Sequence, residues 1–259
     1  MAEFRRRVVY EPAGKAREYS YLACNLYRGC GHRCSYCYAP SVLRLTRAEF
    51  CQPAVRPGVL EKLRLDCQEA AERGEQRQIL LCFTCDPYQE LDERQQLTRH
   101  AIDILHAYGQ SVVTLTKGGR QALRDIDKFI DGDAFATSLT CCDDGNSQKW
   151  EPGAALPQDR IDVLKAFHDQ GTPTWVSIEP VIHPAWSLEL IERSAPWVDE
   201  FRIGKMNHHP LADGIDWADF GRRAVALCER LGANYMLKVD LKALMANVPQ
   251  GWIPEGVQT

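Results

Sequence analysis

The chain has 259 residues, 45% of them hydrophobic and 25% charged, with a formal net charge of −4 and an isoelectric point near 6. That length suits one barrel-sized domain or two small ones, and such a chain buries a large core without covalent staples. The composition excludes collagen-like and disordered chains, and the overall charge is not that of an obvious nucleic-acid binder.

The charge is uneven along the chain. Residues 1–47 carry nine basic side chains (Arg5, Arg6, Arg7, Lys15, Arg17, Arg28, Arg33, Arg44 and Arg47) against three acids, Glu3, Glu11 and Glu18. This excess reads either as a solvated basic face or as a surface for an anionic partner. The opening "MAEFRRRVVYEP" has no apolar centre of a secretory signal, and no apolar run approaches membrane-spanning length. The expectation is a cytoplasmic protein with reduced thiols and no membrane partner. Residues 1–18 read as a basic N-terminal arm, followed by one domain over 19–259.

Short β-rich runs fall at 21–26, 79–84, 112–116, 134–139, 174–178, 200–203 and 234–239. Amphipathic stretches separate them. Val59, Leu60, Leu63, Cys67, Ala70 and Ala71 recur at helical spacing, as do Leu97, Ala101, Ile102 and Leu105, and then Ile161, Leu164 and Phe167. Trp217, Phe220, Ala224, Cys228 and Leu231 form the clearest stripe. Such alternation predicts βαβ units around a parallel sheet, either open and doubly wound or curled into a barrel. Ligand sites in these folds lie at the carboxyl ends of the strands, so residues just past each strand are the functional candidates.

The first strand leads into "NLYRGCGHRCSYCYAP", residues 25–40, with Cys30, Cys34 and Cys37 spaced Cys-x3-Cys-x2-Cys. Soft thiolates suit zinc or an iron–sulfur cluster. A structural zinc site wants four ligands, which Cys24 or His32 could complete, but zinc sites usually pair two short clusters and no matching second pair follows. Three thiolates with an open position instead fit a cluster that keeps one iron free.

"CGHRCSYC" resembles the signature of the radical S-adenosylmethionine (SAM) enzymes. The resemblance implies a [4Fe–4S] cluster on Cys30, Cys34 and Cys37, with SAM on the fourth iron. It also implies reductive cleavage to a 5′-deoxyadenosyl radical, and an electron donor such as flavodoxin or ferredoxin. It further implies an α/β fold, a partial (β/α)6 barrel, here with a possible extra C-terminal strand. "CFTCDPYQ", "VVTLTKGG", "FATSLTCCDD" and "WEPGAALPQDR" are similar, in order, to the spore photoproduct lyase-like branch. By that likeness Tyr36 packs near the adenine, and Thr84, Cys85 and Asp86 offer acceptors to the SAM amino group. Asp86 also suits a cap on the next helix through "DPY", and the two roles can coexist. Lys117 is expected to pair with the methionine carboxylate, and Ser138, Glu151 and Arg160 to bind the cofactor, although a bare ion pair is the other reading of Glu151 with Arg160. Val181 is expected to border the adenine, and Glu179 to face either the adenine side or the substrate. Lys205, Asn207, His208 and His209 are substrate-side candidates.

The place of the branch's hydrogen-donating cysteine falls on Phe83, which argues against thymine-dimer repair. Strand alternation puts Cys85 on the same face as Phe83, making it the substitute donor, with Cys141 or Cys142 as another. The expected substrate is a nucleic acid or nucleotide. The alternatives are a peptide or small metabolite, or a non-catalytic zinc-stabilised binding barrel.

Overall fold

The computed structural model describes residues 7–207 and 209–246, so Arg5, Arg6 and His208 lie outside the described residues. Ten strands run in chain order: β1 (Val9–Tyr10), β2 (Ala23–Cys24), β3 (Tyr27–Arg28), β4 (Ala54–Val55), β5 (Gln78–Leu81), β6 (Ser111–Thr116), β7 (Ala134–Ser138), β8 (Thr174–Ile178), β9 (Glu200–Ile203) and β10 (Tyr235–Leu237). Eight of them form one sheet in the order β1-β2-β5-β6-β7-β8-β9-β10, while β3 and β4 pair as a separate ribbon. All neighbours from β2 to β10 are parallel, and only β1 is antiparallel to β2. The strands β2 and β5 to β9 with their crossover helices make the partial (β/α)6 barrel, and β10 is the extra C-terminal strand.

Helices Val59–Glu72, Leu97–Ala107, Pro157–Asp169, Pro184–Ser194 and Trp217–Leu231 cover the outer face. Each turns its apolar stripe onto the sheet; Ile161, Leu164 and Phe167 are buried from one helix. Phe167 stacks on Phe135 of β7, with ring centroids 3.9 Å apart and planes 2° from parallel. The last helix starts with Asp216 accepting from the Asp219 amide and stops at Gly232, whose φ of +65° suits a residue without a Cβ. Side chains of β5 to β8 alternate, so Leu80, Val113, Ala134, Ala136 and Trp175 line the concave face together with Ala23.

Residues 7–18 are part of this structure rather than a separate arm. The Val8 and Val9 amides donate to the Asp66 carboxylate at 2.8 and 2.9 Å, and β1 extends the sheet. A 3-10 turn, Gly14–Glu18, then reaches the far edge, where Lys15 pairs with Asp240 and the Val239 amide donates to Glu18 at 2.8 Å. The 3-10 segment Gly119–Lys128, another element the sequence pattern did not reveal, stands where the β6–β7 crossover needed a helix. No helix among the described residues is long and apolar enough to cross a membrane.

The Phe135–Phe167 stack sets the distance between that helix and the sheet. Phe167→Ala should cost about 3–5 kcal/mol, read from the denaturant midpoint, with an unchanged slope.

Candidate active site

The cysteine loop leaves β2 at the carboxyl edge of the sheet and is held from several sides. Gly29 has φ +89°, and a Cβ there would stand 2.5 Å from the Phe50 carbonyl oxygen, so only glycine fits. The Cys30 amide donates to that same oxygen at 2.9 Å. The Gly31 amide donates to the Gln89 side chain at 2.8 Å, and Arg47 donates to the carbonyls of Cys34 and Cys37 at 2.8 and 3.4 Å. From the far side, the Gly153 amide donates to the His32 carbonyl at 2.9 Å and the Ser35 amide to the Trp150 carbonyl at 2.8 Å.

Burial pushes all three thiols up, Cys34 to about 12. The backbone N–H groups of His32 and Ala39 pull Cys30 and Cys37 back down, and the Lys117 ammonium does so for Cys34 and Cys37. Thiols in this setting become thiolates when a metal centre takes the proton's place.

Beside the loop, the strand ends supply polar groups of two kinds. Some are free. Thr84 has a buried hydroxyl without a partner, an unmet cost that a bound polar group would relieve. The Lys117 ammonium lies 5.8 Å from the centroid of the Tyr36 ring and makes no ion pair among the described residues. Ser138 stands on the concave face beyond Ala136, in register with Ser177 of β8.

Others are already committed. Asp86 accepts from Thr116 Oγ1 at 2.6 Å, the Tyr88 amide at 2.9 Å and the Lys117 amide at 2.8 Å, while His32 Nδ1 lies 3.4 Å away. Its carboxylate thus braces the ends of two strands, with three of its roughly four acceptor sites used. Arg160 is likewise fully buried, donating to Glu151 at 2.5 Å, the Ser138 carbonyl at 3.0 Å and the Ala155 carbonyl at 2.8 Å. Glu151 also accepts from Thr140 at 2.7 Å and from the Tyr36 hydroxyl. Burial pushes Glu151 up, but Arg160, Lys117 and the donated hydrogen bonds outweigh it and hold the carboxyl at about 2. Glu151 and Arg160 thus form a buried ion pair that also holds the Tyr36 hydroxyl.

Three further expectations are corrected by the packing. The alternation expected to put Cys85 beside Phe83 stops with β5 at Leu81. Phe83 joins the concave face, whereas Cys85 packs on the helix-side core with its sulfur 3.8 Å from Asn25 Oδ1. Cys141 and Val181 are both buried in that same core, without surface for a ligand. Of the far-loop candidates, Asn207 bonds the Lys205 carbonyl weakly at 3.4 Å, and His209 stands over Trp150 and accepts from the Leu211 amide. Asn25, Gln89, Arg47 and Thr140 were missed; each is a lone polar residue whose partner lies elsewhere in the chain.

The profile of the Radical SAM superfamily matches residues 24–197. The uncharacterized protein Rv2578c of Mycobacterium tuberculosis is 29% identical over 168 residues, covering 61% of this chain and 48% of that protein. This chain thus spans about half the length of that relative. A spore photoproduct lyase variant with bound AdoMet and dinucleoside spore photoproduct superposes with a TM-score of 0.67 at 14% identity, covering 85% of this chain and 76% of that one. Streptococcus suis SuiB bound to S-adenosylmethionine superposes with a TM-score of 0.63 at 13% identity, covering 88% and 52%. At those identities the two structures share the fold.

Arg160→Met leaves the Glu151 carboxylate buried without its partner and should cost about 3–5 kcal/mol in equilibrium unfolding. Because the folded-state value of Glu151 is depressed from 4.5 to about 2, its contribution is present above the ordinary value and is lost as pH falls toward 2. Glu151→Gln should therefore be less stable at neutral pH, and its unfolding midpoint should change less across that acid window than the wild type's.

Proposed function

The chain belongs to the radical SAM superfamily, and from that premise we propose that Cys30, Cys34 and Cys37 hold a [4Fe–4S] cluster with one iron left for S-adenosylmethionine. The observation that carries this reading is the placing of three cysteines on one braced loop at the carboxyl edge of the sheet, near an ammonium without an ion pair and a buried hydroxyl without a partner among the described residues. When bound, the cluster and SAM together supply a 5′-deoxyadenosyl radical that abstracts hydrogen from the substrate.

The protein's part is binding and orientation. Lys117 neutralises the methionine carboxylate, with Ser138 as a hydroxyl partner, and the Thr84 hydroxyl accepts from the amino group. The Tyr36 ring packs at the adenine end, its angle fixed by the hydroxyl bond to Glu151. Asp86, Glu151 and Arg160 keep these groups in place. Neither Cys85 nor Cys141 stands on the concave face, so no hydrogen-donating thiol is assigned. A flavodoxin or ferredoxin delivers the electron at the exposed side of the loop, as suits a cytoplasmic enzyme.

The proposed substrate is a nucleic acid. Arg7, Lys15, Arg17 and Arg47 are committed to Glu69, Asp240, Glu11 and the loop carbonyls. Arg28, Arg33 and Arg44 are exposed around the cysteine loop and make no ion pair among the described residues, a basic rim suited to phosphates. A peptide modifier with auxiliary clusters would want further clustered cysteines; Cys228 alone follows Cys142, and it is buried.

Anaerobic reconstitution with iron and sulfide should give a brown protein that, once reduced, forms 5′-deoxyadenosine from SAM, and Cys34→Ala should abolish both colour and product. A brown protein that binds SAM yet forms none contradicts the reading. Replacing Arg28, Arg33 and Arg44 by Gln should lower the log–log salt slope of single-strand binding by about 2; an unchanged slope removes the basic rim from the interface.

A further inference from the structure

Between the cysteine loop and β10 lies a second polar and aromatic cluster, drawn from five separate parts of the chain. Tyr38, just past Cys37, is 46% exposed, and its ring stands 6.4 Å from that of Phe83. Phe83 meets Tyr19 edge-on at 5.8 Å. Tyr19 enters the concave face from the N-terminal segment, its hydroxyl donating to Glu179 Oε2 at 2.5 Å and lying 3.1 Å from Ser177 Oγ. Lys238, immediately after β10, places its ammonium 2.6 Å from the same Oε2 and 3.0 Å from the Tyr19 ring centroid.

Glu179 is half used. Both partners converge on Oε2, while Oε1 makes no hydrogen bond or ion pair among the described residues, and the side chain keeps 19% exposure. Gly204 makes the space, since a Cβ there would stand 2.6 Å from Glu179 Cδ. The lysine side chain is only 5% exposed. A buried ion pair is weak support for stability, because desolvation offsets its attraction. A carboxylate with one oxygen held and the other lying against Gly204 without a partner among the described residues, next to an ammonium, is instead an acceptor and donor pair.

We infer that this cluster reads a nucleobase: the base stacks on the exposed Tyr38 ring with Phe83 against its edge, and Glu179 Oε1 with the Lys238 ammonium meets an N–H and an adjacent C=O on its edge. The inference rests on the nucleic-acid reading above. The base belongs to a single-stranded segment whose phosphates lie on Arg28, Arg33 and Arg44. Bases in single strands present both their faces and their hydrogen-bonding edges, and aromatic side chains are their usual platform.

The test uses the reconstituted, SAM-loaded protein and single-stranded oligonucleotides, in deoxy and ribo forms, carrying one 5-iodouracil. Irradiation should crosslink the peptide bearing Tyr38 or Phe83, and whichever sugar series crosslinks identifies the source. The base-bearing strand should bind about tenfold more tightly than an abasic strand of equal length. Glu179→Gln and Lys238→Met should each shrink that preference to about threefold or less while keeping the salt slope, which a phosphate contact sets. Equal binding of the two strands, with crosslinks confined to the arginine rim, overturns the pocket and leaves nucleic-acid binding intact. No salt-sensitive binding at low salt overturns both.

Discussion

A carboxylate and a guanidinium, both sealed from water, tie the two halves of the site together. Removing Glu151 and Arg160 from solvent costs several kcal/mol per ion, and hydrogen-bond partners offset that cost. Glu151 gathers Arg160, Thr140 and Tyr36, and Arg160 reaches the carbonyls of Ser138 and Ala155. The pair thereby joins the cysteine loop, the end of β7 and the start of helix Pro157–Asp169. Gly153, pressed so close to Gly31 that a Cβ would stand 2.4 Å from its carbonyl oxygen, seals the same junction.

This arrangement separates two kinds of polar residue at the strand ends. Asp86, Glu151 and Arg160 bond within the protein, whereas among the described residues Lys117 makes no ion pair and the Thr84 hydroxyl no hydrogen bond. The divide follows from the fold. Residues whose partners come from adjacent strands and loops are fixed when the sheet forms, and those left over are the ones a cofactor can engage.

Much of the fold was legible in the sequence. The strands β8 and β9 carry the expected boundaries, β8 because it is buried on both faces and β9 because Phe201 and Ile203 alternate with half-exposed Glu200 and Arg202. The cysteine loop was legible because thiol spacing is a local property. What was not legible depended on distant partners. The two-residue strands β1, β3 and β4 carry no periodic signal, and the N-terminal turn owes its place to Asp240 and Val239, more than 200 residues away. The local capping of Asp86 and the Glu151–Arg160 pair were legible as alternatives, whereas the bonds from Thr116 to Asp86 and from Arg160 to the Ser138 carbonyl span 30 and 22 residues and were not. The pairing of Glu179 with Lys238 and Tyr19 was hidden for the same reason.

The central claim is that three protein thiols leave one iron of the cluster for SAM. Electron–nuclear double resonance on the reduced, reconstituted protein, with SAM isotopically labelled at its amino nitrogen, tests it most directly. The predicted result is a hyperfine coupling between that nitrogen and the cluster, retained in Lys238→Met. A cluster that shows no coupling under saturating SAM would contradict it.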